Sequence, residues 1–188
     1  DLRLLPEMIA TRINLEMAVT EEMVENAKKS DPETVTLVPE DRQELTTEGG
    51  LDVMTHAERV KDATQKLQEA GILVSLFIDP DRDQLDASKE VGADAIELHT
   101  GDYAGTPIRS EQRQIALDRL RTSAEHSAAI GLETYAGHGL NYRNVKPVAA
   151  IEPVTELNIG HALIARSVIV GIGKATRRMK ELIREGEQ

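Results

Sequence analysis

The feature that most constrains this chain is an alternation of two hydrophobic periods. Short apolar runs rich in Val, Ile and Leu are separated by longer stretches whose apolar residues recur every three or four positions. The first kind fits strands and the second fits helices. The runs predict strands at Arg12–Ala18, Thr34–Val38, Leu73–Ile78, Ala95–His99, Glu133–Ala136 and Glu156–Ile159. Helices are expected between them. One is capped by Thr20, with Glu21 and Glu22 in its first turn and Met23 and Ala27 inward. A second runs over Thr55–Ala70 with Val60, Ala63 and Leu67 inward, and a third over Arg82–Val91, each stopped by a glycine. The longest follows Ser110 over Glu111–Ile130 and is expected to bury Ile115, Leu120 and Ala124. The last, Lys174–Glu185, carries Met179, Leu182 and Ile183 on its inner face, and the opening DLRLLPEM reads like helix interior.

Strands that alternate with helices imply a parallel sheet, either open and doubly wound or closed as a barrel. Several strands end in ionisable residues, and the loops after them hold the unusual chemistry. That favours a barrel, where the reacting groups come from the carboxyl ends of the strands. Six strands are legible here, against the eight of the common barrel. No linker divides the 188 residues, so one α/β domain is the expectation.

Charge narrows the partners. The formal net charge is −11, which argues against nucleic acid and anionic membrane, since both require a basic face. A small phosphorylated ligand remains open, because backbone amides can cradle an anion within an acidic protein. Cysteine is absent, so disulfides and thiolate zinc sites are excluded. No apolar run reaches membrane-spanning length and no signal-peptide pattern opens the chain, which makes the cytoplasm the expected location.

Five residues with acid–base or ligand chemistry fall at strand ends. Glu16 lies in INLEMAV, an acid on an apolar strand, where burial would raise its pKa. Glu97 and His99 lie two apart in AIELHTG and share a face of one strand. His138 stands between two glycines in YAGHGLNY, with little local packing to occupy it. His161 follows Gly160 in NIGHA, where it could bind a ligand or cap the next helix. A closed barrel would bring all five to one mouth. His56 and His126 fall within predicted helices and read as surface residues.

Phosphate chemistry has its own pattern. Gly137, Gly139 and Gly160 occupy the loops after the last two strands, where barrels commonly bind phosphate on amides and a helix N-terminus. HALIARSVIVG could supply that helix. GIGK at 171–174 is not a phosphate-binding Walker loop, because Val168 and Ala175 stand where that motif needs glycine and a hydroxyl; it reads as a helix junction. The polar loop at 39–52, PEDRQELTTEGGLD, is long enough to act as a lid, with Thr46, Thr47 and Arg42 as ligand contacts.

Taken together, NLEMAVTEEM, LVPEDRQELTTEGGLD, VSLFIDPD, IELHTGDYA, AGHGLNYRNV and ELNIGHALI resemble the pyridoxine 5′-phosphate synthase family, in order and over nearly the whole chain. The resemblance implies an eight-stranded (β/α) TIM barrel, of which six βα units are represented here, assembled as a homo-octamer built from dimers. It implies condensation of 1-deoxy-D-xylulose 5-phosphate with 3-amino-2-oxopropyl phosphate to pyridoxine 5′-phosphate, inorganic phosphate and water, with no metal or organic cofactor. By motif, Glu16 corresponds to a proton acceptor, His138 to a proton donor and Glu97 to the group that stabilises the transition state. Thr46 corresponds to a contact with the deoxyxylulose phosphate; Gly139, Gly160 and His161 correspond to contacts with the amino-ketone phosphate. Two other readings compete: a metal-dependent barrel hydrolase or epimerase using His99, His138, His161, Glu16 and Glu97, and an inactive barrel fragment.

Nothing in these 188 residues matches the family's first two strands, which carry an Asn-x-Asp-His motif and a His-Leu-Arg stretch with a further basic histidine. Without them a barrel of the usual strand number and stagger does not close. A preparation whose intact mass equals that of these 188 residues is therefore expected to form no pyridoxine 5′-phosphate; measurable turnover by it would overturn this expectation.

Overall fold

The computed structural model describes residues 2, 4–40 and 49–187. The fold is α/β, with six strands in one sheet that follow chain order and helices between them. The chain divides into two compact units, Asp1–Glu97 and Leu98–Gln188.

The first unit contains α1 (Leu5–Met8), β1 (Asn14–Ala18), α2 (Glu21–Ser30), β2 (Thr34–Val38), α3 (Ala57–Glu69), β3 (Leu73–Ile78) and α4 (Arg82–Glu90). β1 pairs with β2 and β2 with β3, both parallel. Each strand here is two-faced. Val35, Leu37, Val74 and Leu76 are fully buried on one face, and helices α2, α3 and α4 pack on β1 and β3. Asn14, Glu16, Thr34, Thr36 and Ser75 stand on the other face. The helices begin where the sequence signals them. Thr20 accepts the amide of Met23 at 3.2 Å, and Asp81 accepts those of Asp83 and Gln84. Asp94 sets the start of the next strand: its carboxylate accepts the Val74 amide at 2.8 Å and the Gln68 side chain at 3.0 Å.

The two glycines of EGGLD have a packing reason. Leu51 donates its amide to the Phe77 carbonyl at 2.7 Å, so this segment docks against the end of β3. A Cβ on Gly50 would overlap the backbone of Ile78 and Asp79, and one on Gly49 would lie 2.6 Å from an Asp79 carboxylate oxygen. Asp52 then turns the chain into α3. It accepts from Thr55 and from Gln84, and those donors hold its carboxyl down to about 2.

In the second unit, β4 (Ala95–His99) enters from the first and is followed by α5 (Gly101–Gly105), α6 (Glu111–Ala129), β5 (Glu133–Gly137), α7 (Val145–Ala149), β6 (Val154–Asn158), α8 (His161–Val170) and α9 (Ile172–Gly186). β5 and β6 pair in parallel, with Gly137 opposite Asn158. Ser110 caps α6 through the Arg113 amide at 3.2 Å. The inner face of α6 is Arg113, Leu117, Leu120, Ser123, Ala124 and Ser127. Ile115 departs from expectation: it is 61% exposed, because the buried stripe runs through Arg113 and Leu117 and leaves it on the outer side. Val145, Met179 and Leu182 form a core between α7 and α9, with Ile183 partly buried against it. Gly171, at φ +85, joins α8 to α9, as the GIGK reading expects. Among the described residues no helix is long and apolar enough to cross a membrane.

The backbone contact at Gly50 generates a stability prediction. Gly50→Ala forces backbone apart at the end of β3 and is expected to lower unfolding free energy by about 1–3 kcal/mol, the usual cost of overpacking. Urea denaturation checks it, and an unchanged midpoint and slope would remove the proposed contact.

Candidate active site

Alternation along β4 puts Glu97 and His99 on one face, away from Ile96 and Leu98. Both are buried, Glu97 to 1% and His99 to 6% exposure. A buried carboxylate and imidazole in adjoining positions of one face are costly unless partnered, which marks this strand end as more than packing. Gly101 makes room for the ring, since a Cβ there would lie 2.5 Å from His99 Nε2.

The His138 ring meets the His99 ring edge to face, with centroids 5.5 Å apart and planes at 81°. Its backbone explains the glycine that follows it. His138 has φ +75 and Gly139 φ +74, two left-handed residues in succession. That conformation is strained for histidine and ordinary for glycine. Gly139 is required twice over, because a Cβ there would also lie 2.6 Å from Ala104 Cβ.

A polar scaffold holds this turn. The Thr100 amide and hydroxyl both donate to the Gly137 carbonyl at 2.8 Å, and the hydroxyl also reaches the His138 carbonyl. The buried Asn144 side chain donates to the Gly139 carbonyl at 3.1 Å and accepts the Asn141 amide at 2.6 Å. Tyr103 donates its hydroxyl to the Asn144 carbonyl at 2.8 Å. Arg113 stacks over the Tyr103 ring at 4.2 Å and bonds the Thr106 carbonyl at 2.8 Å. Thr100, Tyr103, Arg113 and Asn144 are scaffold residues that sequence reasoning does not single out. Their roles are backbone contacts, and no spacing pattern announces those.

The remaining predicted residues divide between the units. Glu16 lies in the first unit on β1, in the row of Thr36, and is exposed. The burial expected to act on its carboxyl is therefore not present. Gly160 and His161 open α8 in the second unit, at the end of the strand that neighbours β5, so the Gly139 and Gly160 loops follow adjacent strands. No side chain caps the first amides of α8. His161, exposed there, does not serve as the cap. Thr46, like Arg42 and Thr47, lies outside the described residues. Among the described residues no three His, Asp or Glu side chains are grouped as a metal ion would need.

Comparison with known proteins decides the family. The family described as Pyridoxal phosphate biosynthesis protein PdxJ matches residues 1–185. The chain belongs to this family. Among its relatives, the pyridoxine 5′-phosphate synthase of Legionella pneumophila (strain Corby) is 51% identical over 185 residues, 98% of this chain and 74% of the relative. The synthase of Thermodesulfovibrio yellowstonii is 50% identical, over 98% of this chain and 76% of its own length. That of Photobacterium profundum is 53% identical over 180 residues. Among solved structures, a chain of the Amycolatopsis orientalis BexX/CysO complex superposes with a TM-score of 0.57 at 18% identity, covering 86% of this chain and 59% of that one; a likeness at that identity concerns the fold alone. The PdxJ family is the one expected from the sequence motifs, and its TIM barrel accommodates six parallel βα units in chain order.

The packing of Gly139 on Ala104 can be measured directly. Gly139→Ala is expected to cost about 1–3 kcal/mol of stability through strain and overlap together. In the double variant with Ala104→Gly the overlap disappears and the strain stays. The two changes should then couple by about 0.5 kcal/mol or more in a double-mutant cycle, and strict additivity would show that the contact does not exist.

Proposed function

We propose that this chain, together with the family's first two strands, acts as a pyridoxine 5′-phosphate synthase that condenses 1-deoxy-D-xylulose 5-phosphate with 3-amino-2-oxopropyl phosphate and releases inorganic phosphate and water. The supporting observation is the family match over residues 1–185, with identity near one half to synthases of which this chain covers about three quarters. Amine attack on a ketone, dehydration and aromatising loss of a proton require acids and bases and no change of oxidation state. Glu16, Glu97 and His138 are the residue types that such steps use.

In this reading Glu16 accepts a proton, from an exposed position on β1 that substrate can reach. Buried Glu97 stabilises positive charge that develops on the condensing nitrogen, an interaction strengthened where water is excluded. His138 donates a proton to the departing oxygen. Imidazole as a side-chain type suits that exchange near neutral pH, and the turn that carries it is held by Thr100 and Asn144, with the His99 ring against its own. Gly139 lets the chain approach a ligand closely. Gly160 and His161 offer uncapped amides and an imidazole to the phosphate of the amino-ketone. Thr46 contacts the deoxyxylulose phosphate. The assembly is a homo-octamer built from dimers, working in the cytoplasm.

Glu16→Gln and His138→Gln each remove a proton-transfer group while keeping size. In the gene-encoded protein each is expected to lower kcat by ~10²–10⁴-fold, the range for general acid–base groups, with a smaller change in KM. Formation of pyridoxine 5′-phosphate, followed by its fluorescence, reads the effect. Wild-type rates from both variants would sink the assignment.

A further inference from the structure

In the first unit Glu16 ends a polar row that also contains two buried hydroxyls. Ser75 of β3 pairs in register with Thr36 of β2, and Thr36 with Glu16 of β1. Paired residues of neighbouring strands share a face of the sheet, so the three side chains stand side by side. Thr36 and Ser75 are both fully buried. The Thr36 hydroxyl donates to the Asn14 side-chain oxygen at 3.0 Å, which leaves its own lone pairs to accept. Ser75 Oγ has no hydrogen-bond partner among the described residues. A buried hydroxyl left so is disfavoured, and alanine would fill the same space without that cost.

Donor counting identifies what completes the row. Neighbouring strands lie about 4.8 Å apart, too far for a direct bond between short paired side chains. Two hydrogen bonds through a single water reach roughly 5.5 Å, enough to span that gap. It would receive the Ser75 proton and hold two protons of its own. One suits Thr36 Oγ1; the other suits a side-chain oxygen of Glu16, the next side chain along the row.

We propose that Ser75 and Thr36 hold one ordered water that donates to the Glu16 carboxylate, making both hydroxyls positioning residues for the proton acceptor. The chain Ser75–water–Thr36–Asn14 orients the carboxylate. The proposal rests on the reading of Glu16 as the proton acceptor.

The test is steady-state kinetics of the gene-encoded protein, together with high-resolution crystallography of its wild type and its Ser75→Ala variant. Ser75→Ala and the isosteric Thr36→Val are expected to lower kcat by about 3–10-fold, what one hydrogen bond contributes, with KM within about twofold of wild type. Thr36→Ser, which keeps the hydroxyl, restores kcat. Electron density should show a water bonded to Ser75 Oγ and Thr36 Oγ1 in the wild type and none in Ser75→Ala. Unchanged kcat in both hydroxyl variants while Glu16→Gln is inactive, or wild-type density without that water, overturns the row and leaves Glu16 in place. Full activity of Glu16→Gln overturns the reading of Glu16 and the row with it.

Discussion

Two-faced strands are the constraint on which the rest of the structure depends. In the first unit, Val35, Leu37, Val74 and Leu76 are fully buried on one face. Burying each such side chain stabilises the fold by ~1.5–3 kcal/mol. A one-residue slip would turn this whole set to the polar side, so the apolar face determines register. Once register is set, Glu16, Thr36 and Ser75 have no choice but to stand in line. The polar groups are thus placed by the packing of their neighbours rather than by attractions of their own.

In the second unit a different device does the positioning. His138 sits in a left-handed turn whose carbonyls are held by Thr100 and Asn144, and Asn144 in turn is held by Tyr103 under Arg113. Each link is a hydrogen bond or ring contact, and those of Thr100 to Gly137 and of Tyr103 to Asn144 are buried, where an unmade bond is costly. A strained residue persists only where its surroundings over-determine it, and such residues cluster at functional positions. The imidazole is consequently placed by α5, α6 and the start of α7 together, although its own loop contains only small and polar residues.

Much of this was legible in the chain, and the exceptions have physical reasons. The strands at Thr34–Val38, Leu73–Ile78 and Ala95–His99 form where the apolar runs predict them. β6 begins two residues earlier than the run suggests, at Val154, because pairing with β5 extends it. α5 and α7, each five residues long, have too few turns to show a helical period. Ile115 was expected inside because it is apolar; the stripe that wins includes Arg113, whose guanidinium is satisfied by the Tyr103 ring and the Thr106 carbonyl. Glu16 was expected to be desolvated because its neighbours in sequence are apolar. Alternation turns those neighbours to the other face and leaves the carboxylate exposed.

The sequence alone determined the α/β class, the order of elements, the caps at Thr20 and Ser110 and the family, because local periodicity and short motifs carry that information. Only the tertiary structure decided that His99 and His138 meet at 5.5 Å, that Gly50 is pressed against β3, and that Ser75 is buried beside Thr36. Those facts depend on residues far apart in the chain. Backbone approach, strand register and ring packing are set by three-dimensional neighbours, and no local pattern of residue types encodes them.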